Sequence, residues 1–184
     1  MRIHPLAAVS FVLALAGTSV VARERIKVQR YLESLLLGDK IEQIEMVYPP
    51  KKKWKRERER RSKLERVVLS PQTAKYFPSK GREFHLRMRH KRLVWIQVIY
   101  NKEESRRKPL EELVVDLSLV YGEPRRIEKS DYDGTQRGGL MYCWWDRDTA
   151  LVVSNVELLR ERGETPEMRT SLELMGRSYF SEIR

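Results

Sequence analysis

The sequence predicts an α+β domain in which two tandem α-β-β-β units form an antiparallel sheet with the helices packed on one face. Three observations lead there. Leu36 to Pro50 (LLGDKIEQIEMVYPP) and Pro109 to Pro124 (PLEELVVDLSLVYGEP) share a pattern when Val47-Tyr48 is laid on Val120-Tyr121, an offset of 73 residues. Ile44 then falls on Leu117, Ile41 on Val114 and Leu37 on Leu110, apolar positions recurring at the helical spacings of 3 and 4. Each stretch ends in tyrosine followed by proline or Gly-x-Pro, which stops a helix, and each is followed by β-rich runs separated by turn signals.

Taken in order, the first unit offers Leu64 to Ser70 as a strand. Phe84, Leu86 and Met88 then alternate with His85, Arg87 and Arg89, and Leu93 to Tyr100 follows a tight connection at His90-Lys91. The second unit offers Arg126 to Ser130 before the turn signal Asp133-Gly134. Leu140 to Trp145 and Ala150 to Val156 flank the turn Asp146-Arg147-Asp148. Antiparallel strands with helices on one side are the simplest way to bury such elements. In the tail, Thr165 as cap, Pro166 as first turn and the spacing of Met168, Leu172 and Met175 before Gly176 predict a short helix over 166–175. The boundaries that follow are 1–22 for a leader, 23–104 for the first unit with a basic insertion at 51–66, 105–160 for the second unit, and 161–184 for a C-terminal helix and tail.

The leader reads as a secretory signal. Arg2 and His4 precede 17 uncharged residues, Leu6 to Ala22, and Val20 and Ala22 suit a cut before Arg23. LALAGTS, from Leu13 to Ser19, is nearly a lipid-attachment site, but Thr18 stands where the cysteine would have to be. The address is therefore extracytoplasmic, periplasmic or secreted; the alternative is a membrane anchor through an uncleaved leader. Cys143 is the single cysteine among the 184 residues, so an internal disulfide is excluded.

The net charge of +11 is concentrated. In residues 51–66, KKKWKRERERRSKLER, ten basic residues oppose three acidic ones. Lys51, Lys52, Lys53, Trp54, Lys55, Arg56, Arg58, Arg60 and Arg61 are the candidate contacts to an anionic partner, each base contributing about 1 kcal/mol near a charged lipid surface. The ordinary alternative is a solvated connection between helix and strand. A further alternative is nucleic acid held through the same segment, disfavoured by the interrupting Glu57, Glu59 and Glu65. A second candidate surface is aromatic: Trp95, Tyr142, Trp144 and Trp145 on the sheet. Alternation sends one of Trp144 and Trp145 under the helices and the other to the open face.

Nothing assembles catalytic chemistry. His85 and His90 fall on opposite faces, the aspartates Asp131, Asp133, Asp146 and Asp148 sit in turns, and no phosphate loop, nucleophile elbow or metal-ligand spacing occurs. The expectation is a non-enzymatic domain without cofactor or metal, binding a protein or an anionic envelope component such as a lipid headgroup or polymer at or near a membrane surface.

A helix ending in Val120-Tyr121-Gly122-Glu123-Pro124, followed by an antiparallel meander with an aromatic strand (YCWWD, Tyr142 to Asp146), resembles the small bacterial envelope proteins of the SmpA/OmlA type. That group includes an outer-membrane assembly lipoprotein and the tandem β-lactamase inhibitory protein. The resemblance covers Leu36 to Tyr100 once and Pro109 to Val156 again, and implies domains that bind proteins and do not process substrates. The first copy departs from the pattern in having Pro49-Pro50 without the glycine and in carrying the basic insertion, and Thr18 removes the usual lipid anchor.

Overall fold

A computed structural model describes residues 27–58, 64–127, 140–158 and 167–183. The leader, Arg60, Arg61, Asp131, Asp133, Thr165 and Pro166 lie outside the described residues. The first described elements are a hairpin of two-residue strands, β1 (Tyr31–Leu32) and β2 (Leu35–Leu36), whose connecting Glu33 and Ser34 both take positive φ. Helix α1 (Ile41–Val47) follows, then β3 (Arg56–Arg58), β4 (Glu65–Leu69), β5 (Gly81–Arg89) and β6 (Arg92–Tyr100). Helices α2 (Lys102–Arg107) and α3 (Leu110–Tyr121) lead to β7 (Arg125–Ile127), β8 (Met141–Trp145), β9 (Thr149–Leu158), β10 (Glu167–Gly176) and a last helix, α4 (Arg177–Ile183).

Among the described residues eight strands form one sheet in the order β3-β4-β5-β6-β10-β9-β8-β7, with every pairing antiparallel. The order reads the same from either edge: two four-stranded meanders meet at their last strands, β6 against β10. The α+β class and the antiparallel sheet are as the sequence predicts. The three-strand count is not, since among the described residues each main helix is followed by four strands.

The missing strands have identifiable causes. Residues 166–175 were expected to be helical from the spacing of Met168, Leu172 and Met175, yet Glu167–Gly176 is β10, a central strand with neighbours on both sides. Residues Arg169 to Met175 are buried whichever way they point, so a strand hidden on both faces loses the alternation that announces half-buried strands. Two of its polar members are satisfied sideways by β6: Gln97 Nε2 donates to Ser171 Oγ at 3.1 Å and Trp95 Nε1 to Glu173 Oε2 at 2.9 Å. Strand β3 escapes notice because it is three charged, exposed residues.

Helix α1 is shorter than the periodicity over Leu36 to Pro50 suggests. Gly38 sits at φ +99 and passes its N–H to Leu93, while the Asp39 carboxylate accepts the Leu36 N–H, so the chain turns there and the helix starts only at Ile41. The β5–β6 connection at His90-Lys91 is a two-residue turn with φ of 49 and 62, as right-handed strand twist favours.

The core divides between the two faces of the sheet. On one face, Ile41 and Ile44 of α1 and Leu110, Leu113, Val114, Leu117 and Tyr121 of α3 pack with Phe84, Leu86, Ile96, Val98, Leu151, Val153, Leu172 and Leu174. On the other, Trp95, Met141, Cys143, Val152 and Met175 meet Tyr179 and Phe180 of α4. The helices are therefore not confined to one face. Helix α4 runs beneath the sheet from Trp145 on β8 to Arg89 on β5, where Glu182 forms a two-pronged pair with the guanidinium at 2.6 and 2.8 Å.

Candidate functional site

The basic segment is held in place more firmly than a connector would be. After α1, Pro50 bridges Ala74, Lys51 N–H donates to the Thr73 carbonyl at 3.0 Å, and Lys75 N–H donates to the Pro49 carbonyl at 2.8 Å. Trp54 was expected among the exposed contacts. Instead it is only 5% exposed, packed in the helix-side core, with its indole N–H on the Thr73 carbonyl at 3.1 Å. A tryptophan flanked by lysines resolves the conflict by burying its ring and turning its neighbours outward, which burial of a large aromatic surface drives.

Around that anchor, Lys51, Lys52, Lys53, Lys55, Arg56 and Arg58 are all exposed. Between residues 51 and 58 the only acid is Glu57, which lies 2.8 Å from Lys55; that contact holds the Glu57 carboxyl below its ordinary value and the Lys55 ammonium above its own. Lys51 Nζ donates to the Pro71 carbonyl, and Arg56 stands 3.7 Å from Glu45. Lys52, Lys53 and Arg58 have no ion-pair partner among the described residues. The strand β3 register sets Glu57 opposite Arg66, and Arg58 opposite Glu65. Beyond Arg66, the chain of contacts continues inward: Arg66 lies 3.3 Å from His85 Nδ1, and His85 Nε2 lies 2.9 Å from Glu83, whose carboxyl is lowered chiefly by that hydrogen bond.

Folding also brings in two residues that sequence reasoning missed. The loop after β4 lies against the basic segment through Thr73, so exposed Lys75 and Tyr76 extend the same surface. Nothing local signals this, because the two stretches are joined by hydrogen bonds between residues about 20 or more apart in the chain, from Lys51 and Trp54 to Thr73 and Pro71 and from Lys75 to Pro49.

The aromatic surface is not an open platform. Trp95 is buried, bonded to Glu173 and stacked under the Arg87 guanidinium at 4.6 Å. Trp144 and Trp145 do point to opposite faces. Trp144 is buried on the helix side with its N–H on the Gly122 carbonyl at 2.7 Å, and Tyr142 is half-buried on that same side. Trp145 keeps partial exposure, with Arg125 and Arg177 at 4.3 and 5.0 Å from its ring centre and Phe180 tilted against it at 5.7 Å. Beside it, Val28, Tyr121, Glu123, Arg125, Cys143 and Trp144 line a small cleft of about 120 Å³. The four aromatics thus do not form one surface.

His90 lies in the β5–β6 turn, away from the mid-strand His85. Among the described residues no three His, Cys, Asp or Glu side chains are grouped to hold a metal ion, and no helix is long and apolar enough to cross a membrane. Asp146 is occupied structurally: it accepts the N–H groups of Val28, Asp148 and Thr149 at 2.7 to 2.8 Å and so shapes the β8–β9 turn. Comparison of the chain with protein-family models, with curated proteins and with solved structures finds no match in any of the three.

Proposed function

We propose that this protein is a non-enzymatic binding domain that acts outside the cytoplasm and recognises an anionic envelope component through its basic edge. The supporting observation is the tract Lys51–Arg58: six basic side chains, all exposed, fixed against the sheet by the buried Trp54. A free lysine-rich loop loses conformational entropy when it meets a charged surface, whereas a tract already ordered by Trp54 and the Thr73 carbonyl loses less. Lys75 and Tyr76 widen the surface, Tyr76 with an exposed ring suited to a headgroup boundary. The resemblance to envelope proteins of the SmpA/OmlA type and the leader at 1–22 point to the same location. On this proposal the two halves are copies of one plan, of which the first acquired the basic tract.

The test is co-sedimentation with vesicles containing anionic lipid, comparing the wild-type chain with a variant in which Lys51, Lys52, Lys53, Lys55 and Arg56 become Gln. At about 1 kcal/mol per base near such a surface, the variant should lose more than a hundredfold in partitioning. Unchanged partitioning would reduce the tract to a charged guard on an edge strand. A steeper response to single-stranded RNA than to vesicles at equal salt would shift the function to nucleic-acid binding.

A further inference from the structure

A second surface has the opposite character. Helix α3 turns Leu110, Leu113, Val114, Leu117 and Tyr121 to the core and presents Glu111, Glu112, Val115, Asp116, Leu119 and Val120 to solvent. These six form two rows at the i, i+4 spacing, Glu111–Val115–Leu119 and Glu112–Asp116–Val120. Each row is acidic at the helix start and apolar at its end. Leu119 is 83% exposed, Val115 59% and Val120 55%. Tyr31 of the β1–β2 hairpin, also exposed, lies at the same end near Tyr121. Adjacent apolar side chains this open on a regular helix mark an interaction surface.

The chain itself carries the matching charges. After Gly122, the exposed Glu123 and then Pro124, the edge strand β7 carries the exposed Arg125 and Arg126, of which Arg125 lies over Trp145 on the far face. Arg126 pairs in register with Tyr142, which packs on the helix side, so Arg126 is on the same side of the sheet as α3. Asp116 is paired with Lys108 at 3.0 Å, whereas Glu111, Glu112 and Arg126 have no ion-pair partner among the described residues.

We propose that α3 is a self-association surface, packing antiparallel against α3 of a second copy about a twofold axis near Leu119. In a twofold pair whatever residue one copy touches on its partner must be touched in return, so only residues on the axis meet their own image and every other patch must find its complement elsewhere on the same surface. An antiparallel pair satisfies it here: the apolar last turns meet each other, and the acidic first turn of each copy, about 12 Å away along the helix, lies toward Arg126 of the other. A parallel pair would set Glu111 and Glu112 against their own copies, like charge on like. Helix α1 supplies a weaker version of the patch, with Met46 and Val47 exposed at the corresponding turn but the neighbouring Glu45 already close to Arg56.

Sedimentation velocity of the full chain over a wide concentration range, at low salt, measures the association. A concentration-dependent dimer is expected. Leu119→Glu should weaken it by about thirtyfold or more, the scale of a central apolar contact. Glu111→Lys with Glu112→Lys should weaken it at least tenfold, and adding Arg126→Glu to that pair should restore most of the loss. All four side chains are exposed, so an unchanged denaturation midpoint separates loss of association from loss of fold. A chain that stays monomeric at every concentration, a dimer indifferent to Leu119→Glu, or a triple variant no better than the double would each overturn the proposal.

Discussion

The two halves of the sheet are built alike and dressed differently. Inward positions correspond: Leu37 with Leu110, Ile44 with Leu117 and Tyr48 with Tyr121 all pack into or against the helix-side core. Outward positions correspond less, although exposed Met46 and Val47 answer Leu119 and Val120. The first half ends in the basic strand β3 and its Trp54 anchor, whereas the second has an acidic and apolar helix above a short edge strand, β7. A core position is constrained by close packing, where even one methylene is felt, and a surface position by little beyond solubility and partners.

The comparison is broken most severely from within the shared frame. Phe84 is fully buried in the first half, edge-on to Tyr48 at 5.7 Å and tilted against Phe77 at 4.5 Å. Phe84→Ala should cost about 3–5 kcal/mol in urea denaturation, and because β6 and β10 are hydrogen-bonded neighbours, both halves should unfold in one transition. Two separate transitions would show that the halves are independent.

A slightly smaller loss is expected at Trp54, where shared core and divergent surface meet. Trp54→Ala should cost roughly 3 kcal/mol by loss of packing and of the Thr73 bond, while Lys52→Gln and Lys53→Gln stay within about 0.5 kcal/mol. Equal effects at Trp54 and its lysine neighbours would mean that the ring is not the anchor.

Smaller still is the effect at Tyr48, whose hydroxyl donates to the Glu33 carbonyl at 2.6 Å. Tyr48→Phe should cost about 1 kcal/mol. It should also change the alkaline limb of the stability profile. Burial, with Glu33 nearby, pushes the phenol from 10.0 up to about 12. The folded state therefore holds a proton that the unfolded chain gives up first. The resulting stability is intact below pH 10 and lost as pH rises toward 12. Stability measured between those limits should fall less steeply in Tyr48→Phe than in the wild-type chain.

Much of the frame was legible because it is written in local pattern. Alternation over Phe84 to Arg89, the apolar run Leu93 to Tyr100, and the turns at His90-Lys91 and Asp146 to Asp148 each depend on neighbours within a few residues, and each appears as read. Of the candidate site, the cluster of bases was legible as charge. Its rigidity was not, since the anchor for Trp54 is a carbonyl 19 residues away.

Three features were decided only once the sheet assembled. The segment 167–176 took strand geometry because the gap between β6 and β9 offered hydrogen bonds on both edges, outweighing a helical spacing of three apolar residues. The aromatics were distributed between two cores and a rim because strand register, not sequence proximity, sets which rings meet. The exposed end of α3 followed from how the helix seats on the sheet, which chose the row containing Leu117 for the core and left the row containing Leu119 outside. Periodicity establishes that a helix has an apolar side, but where apolar residues exceed that side, only packing determines which remain in water.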